Sequence, residues 1–219
     1  MRLFAIIGLF IISQGLLAER RWTEPLPYGD MDEWQVRYIQ ESKLLGGKVK
    51  TLYALAPNDT IRENKAYVPI EGNPWGCSAT YAKFMGIETA MEASVVPEPR
   101  GYGYSCKLKN VLTHVNIGDI YAMVSGALYT GQALEPLGIA AKHRPYTAID
   151  FGVPFTQHPV ALMLDYKATI SEADSLITTE RNKPEWIDGH DCAVIFVYLQ
   201  YRWEDKATGP INPRRLGTP

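Results

Sequence analysis

The sequence predicts an all-β chain folded as a jelly-roll β-sandwich, and three observations predict it. Short runs alternate apolar and polar residues with a period of two, the mark of a half-buried strand. Fifteen prolines and 18 glycines recur along the 219 residues and interrupt any long helix. No strand–helix rhythm is present, so nothing calls for a parallel sheet covered by helices.

The chain opens MRLFAIIGLFIISQGLLAERR. One charge, Arg2, precedes an uncharged run from Leu3 to Ile12, and small residues follow. That order reads as a signal peptide over residues 1–18, with Ser13-Gln14-Gly15 and Leu16-Leu17-Ala18 both suited to cleavage. The run is shorter than the roughly 20 apolar residues a membrane span needs; the alternative is a retained N-terminal anchor. The expected location is therefore periplasmic, cell-surface or secreted, with residues 19–219 as a single domain and no membrane span after cleavage.

Within that domain, 34–45 (WQVRYIQESKLL) fits a helical turn or an early strand equally. Residues 48–55 (KVKTLYAL) alternate as a strand, and 71–76 (EGNPWG) read as a turn-rich loop. Tyr102 to Leu108 alternates again, 117–129 is small and apolar, and 136–150 reads as a long loop. In 159–170 (PVALMLDYKATI), Val160, Leu162, Leu164, Tyr166, Ala168 and Ile170 share one face of a predicted strand. Residues 171–190 read as a polar loop. The apolar run 192–205 (CAVIFVYLQYRWED) predicts the most deeply buried strand.

Charge is evenly mixed. Arg2 is the only charged residue in 1–18, so its removal leaves 21 of the 22 basic side chains against 24 acidic ones. With no basic stripe, nucleic acid is not an expected partner. Cys77, Cys106 and Cys192 are an odd number for an exported chain; one bridge plus a free thiol, or three buried thiols, both fit.

Few motifs carry chemistry. His190 and Cys192 would point the same way on a strand, yet His114, His143 and His158 have no spacing that completes a tetrahedral metal set. No nucleophile elbow, dinucleotide fingerprint or phosphate loop occurs. Paired-carboxylate glycoside hydrolysis stays open. It needs two carboxylates about 5–5.5 or 6.5–9.5 Å apart, and Asp165, Glu204 and Asp205 stand at strand ends. Sugar binding asks for less: an exposed ring to pack on sugar C–H groups and a few polar groups for the hydroxyls. Trp75, Tyr102 and Tyr104 lie in turn-rich stretches, and Arg202 and Trp203 near a strand end.

The ordered set KTLYAL, NPWG, RGYGYSCKL, LYTG, FGVPFTQHPVALMLDYK, LQYRWED and RRLGT resembles the bacterial carbohydrate metabolism domain family, from about Pro27 to Thr218. The resemblance implies export, a sandwich of the carbohydrate-binding-module type and a role in glycan use, with no catalytic residues to transfer. It also implies further C-terminal strands beyond Pro219. YGDMDEW at 28–34 is similar to the acidic opening that holds a structural calcium in such modules, with Asp30, Asp32 and Glu33 as oxygen donors. Three functions are thus in play: a non-catalytic glycan binder, a glycoside hydrolase, and a surface interaction protein with no small-molecule ligand.

Overall fold

The computed structural model describes residues 23–91, 94–115, 119–138, 141, 145–179, 181, 183–204 and 211–215; for 115, 145, 201–204 and 211–215 the description is of the backbone alone. Among these residues there is no α-helix, and no helix long and apolar enough to cross a membrane. The chain is all-β.

Strand β1 (Trp34–Gln40) pairs antiparallel with β2 (Val49–Leu55), from Trp34 opposite Leu55 to Gln40 opposite Val49. A 3-10 turn, Lys43–Leu45, lies between them and ends at Gly46, whose φ of 118° suits glycine. The short β3 (Asp59–Ile61) runs parallel to β1 on its other side. Next come β4 (Trp75–Cys77) and three antiparallel pairs: β5 (Tyr81–Phe84) with β6 (Ile87–Ala90), β7 (Val95–Pro99) with β8 (Tyr104–Leu108), and β9 (Val111–Val115) with β10 (Ile120–Val124). Strand β11 (Leu128–Ala133) pairs with β4 on one side and with β12 (Ile149–Phe151) on the other. Two further pairs follow, β13 (Ser175–Thr178) with β14 (Glu185–Asp188), and β15 (Gln200–Glu204) with β16 (Ile211–Arg215).

The core forms where β2 packs on β4, β6 and β7. Ile39, Leu52 and Val95 are fully enclosed there, beside Trp34, Leu55, Cys77, Ala79, Tyr81 and Ala90. Every one of these residues lies between 34 and 95. The inner face of β1 also carries Arg37, which only a buried anion can balance. Glu135 supplies it. Its carboxylate accepts from Arg37 Nη1 at 3.1 Å and Nη2 at 2.6 Å, and from the backbone N–H groups of Tyr67 at 2.7 Å and Tyr81 at 2.9 Å. Both side chains are nearly sealed, at 3% and 2% exposed. One ion pair thus ties four stretches of chain together.

The structure corrects several expectations. Residues 34–45 resolve into a strand and a 3-10 turn. The 71–76 loop contains the start of β4, the 136–150 loop contains a 3-10 turn (Pro145–Ala148) and the start of β12, and the 171–190 loop contains β13 and β14. More consequentially, 159–170 has no strand and is exposed throughout, and 192–199 has none either, with 192–198 exposed. Only Gln200–Glu204 of the second run enters a ladder. Alternation specifies two faces, whereas a strand also requires a neighbour to complete its ladder, and among the described residues 160–170 and 192–197 enter none. The cysteines are free, Cys77 buried, Cys106 partly so and Cys192 exposed, so Cys192 is not a core residue.

Candidate functional site

The turn between β7 and β8 reads Arg100-Gly101-Tyr102-Gly103. Gly101 and Gly103 both adopt positive φ, 44° and 73°, conformations that cost little only without a Cβ. Gly103 has a second reason to be glycine: a Cβ there would collide with the Asp32 carboxylate. Between the two glycines Tyr102 stands 89% exposed, and Tyr104 is exposed beside it.

This tip does not hang free. Segment 26–34 runs past it as a strap whose turns close through Gly29 N–H to Leu26 O and Met31 N–H to Tyr28 O. Asp32 Oδ1 accepts the Tyr104 N–H at 2.7 Å and lies 3.5 Å from Arg100 Nη2. Arg100 Nη2 donates to Asp30 O at 2.8 Å, and Arg100 N–H to Gly103 O at 3.1 Å. The strap is anchored inward by two indoles, Trp34 Nε1–H to Met31 O at 2.7 Å and Trp75 Nε1–H to Pro27 O at 2.8 Å. Tyr28 and Met31 add apolar contacts with the core. The outcome is an exposed phenol ring held on a braced tip, with a half-exposed guanidinium at its base.

Five of the residues singled out from sequence therefore meet through one strap: Asp30, Asp32, Trp75, Tyr102 and Tyr104. Their parts differ from those expected. Trp75 packs against the core and braces the strap. The Asp32 carboxylate lies beside the Arg100 guanidinium, whereas Asp30 meets Arg100 through its backbone O and accepts the Asp32 N–H at 3.4 Å through Oδ1. Among the described residues no group of three or more His, Cys, Asp or Glu side chains could hold a metal ion.

The remaining candidates are elsewhere. Asp165 borders an open groove of about 660 Å³ walled by Leu162 to Tyr166, Ala193 and Ile195, which holds no second carboxylate. Arg202, Trp203 and Glu204 are on β15, where only the backbone is described, and Asp205 lies outside the described residues. The separations among Asp165, Glu204 and Asp205 therefore lie outside the described side chains.

Two thiols sit away from this tip. Burial pushes the Cys77 thiol up to about 11 and Cys106 up to about 12, so both stay protonated at neutral pH. The cavity beside Arg37 and Glu135 measures about 20 Å³, space for one water and for nothing larger. At the turn of β9 and β10, His114 Nε2 and Asp119 Oδ1 are 2.8 Å apart with Lys183 3.3 Å from Asp119, an exposed ion cluster. Sequence reading missed Arg100 and Gly103, whose importance depends on Asp30 and Asp32, some 70 residues earlier; the Gly-Tyr-Gly pattern was the one signal available. No protein-family model, curated protein or solved structure matches the chain.

Proposed function

We propose that this is an exported, non-catalytic β-protein that binds glycan at the β7–β8 tip. The sugar ring stacks its C–H face on Tyr102, and Arg100 and the Tyr104 hydroxyl hydrogen-bond its hydroxyl groups. The observation that carries this reading is the presentation of Tyr102: fully outward, between two positive-φ glycines, on a turn pinned to the strap. A turn whose backbone is already braced loses little freedom when a ligand arrives, which favours binding to a shallow surface. The finer architecture in this reading is a jelly-roll of the carbohydrate-binding-module type. The ordered motifs resembling the carbohydrate metabolism domain family and the signal-like residues 1–18 support glycan handling outside the cytoplasm.

A glycan array or polysaccharide affinity gel with the folded chain tests it. Retention by at least one polysaccharide, lost in Tyr102→Ala with the melting temperature unchanged, is the expected result. A folded chain that no polysaccharide retains would overturn it.

A further inference from the structure

Residues 160–170 and 192–198 expose most of their apolar side chains, with Val160 81% and Phe196 67% accessible. Residues 161–173 contain no bend, turn or helix. No hydrogen bond joins 160–170 to another described residue. An alternating, straight, unpaired segment has the form of a strand awaiting a ladder, and such segments recruit another chain unless something blocks them. The same alternation also shows what would fit beside it.

We propose that 160–170 pairs antiparallel with the same segment of a second copy of this chain, across a two-fold axis at Tyr166. In that register Leu162 lies opposite Ile170, Leu164 opposite Ala168, and the two Tyr166 side chains meet at the axis. All belong to the apolar face. On the other face Met163 lies opposite Thr169, and Asp165 opposite Lys167, twice by symmetry. Opposite charges facing each other across strands stabilise the pair, and like charges oppose it. Neighbouring registers fail on this count. A shift of the pairing centre to Asp165 sets Asp165 against Asp165, and a shift to Lys167 sets Lys167 against Lys167. Centres between residues set the apolar face of one strand against the polar face of the other. The segment is therefore complementary to itself in one register, as an isologous dimer requires. The pairing uses no residue of the β7–β8 tip and stands apart from the glycan reading.

Sedimentation velocity on the full chain and its charge variants tests the proposal, with circular dichroism confirming that each variant folds. The wild-type chain should be a dimer. Asp165→Lys alone or Lys167→Asp alone should raise the dissociation constant about tenfold, since each reversal acts at both symmetric positions. The double reversal should restore the wild-type constant. An equimolar mixture of the two single variants should form a mixed dimer, because an all-basic segment then faces an all-acidic one. A monomer at every concentration, open-ended aggregation, or a dimer indifferent to the single reversals would overturn it.

Discussion

Residues 34–95 and residues 160–198 carry comparable apolar patterns and end in opposite situations. In the first region, Leu52 on β2 is sealed among Ile39, Val95 and their neighbours. In the second, Leu162, Leu164, Val194 and Phe196 face outward. Apolar content is therefore not what separates them. The first region has backbone partners for its strands: β2 pairs with β1 along its whole length, and β4, β6 and β7 cover its inner face. In the second, 160–170 and 192–197 have side chains suited to burial but, among the described residues, join no ladder; only β13 and β14 between them are paired. Packing and pairing are mutually dependent, and hydrophobic pattern supplies only one of them.

The largest effect expected from breaking this contrast comes from the buried ion pair. Arg37→Ala should lower stability by about 3–5 kcal/mol, because Glu135 is left charged and enclosed. Replacing both residues, Arg37→Met with Glu135→Leu, should recover only part of that loss, because the Tyr67 and Tyr81 N–H groups then lose their acceptor; chemical denaturation of the wild type and both variants reads the difference. Next, Leu52→Ala should cost about 2–5 kcal/mol through the cavity it leaves. Leu162→Ala, at a dilution where the chain is monomeric, should change stability by less than about 0.5 kcal/mol. Equal losses at the two leucines would erase the distinction between the regions.

A smaller, pH-dependent effect belongs to the first region alone. The Glu88 carboxyl is held down to about 2, from an ordinary 4.5, by its hydrogen bond from Lys83 and then by that from Asn64. Because the folded value is the lower one, the stabilisation is fully present above about pH 4.5. It is lost as pH falls towards 2. Melting temperature should therefore decline over that window, less steeply in Glu88→Gln than in the wild type.

Much of the first region was legible in sequence. Residues 48–55 alternate cleanly and become β2, and just beyond this region Tyr102 to Leu108 contributes β8. The segment at 34–45 was ambiguous for a physical reason: Gln35 and Arg37 occupy its buried face, and the anion that makes this tolerable lies 98 residues away. Long-range partners of that kind leave no local trace. The same holds for Arg100, whose contact with Asp30 spans 70 residues. The strand expected at 159–170 failed differently, and that expected at 192–205 forms only over Gln200–Glu204. Their pattern is strand-like, but a pattern cannot reveal whether the chain provides a neighbour.

For the candidate site, sequence singled out Tyr102, Trp75 and the acidic residues separately, without the contacts that join them. Only the structure shows that Trp75, Asp30 and Asp32 brace the tip.

The central claim is that glycan binding belongs to the braced tip and not to the exposed apolar segments. Calorimetric titration of a retained polysaccharide into the wild-type chain, Tyr102→Ala and Tyr166→Ala tests it most directly. Binding should weaken tenfold or more in Tyr102→Ala and stay unchanged in Tyr166→Ala. The reverse pattern, with Tyr102→Ala binding as the wild type does, would contradict the account.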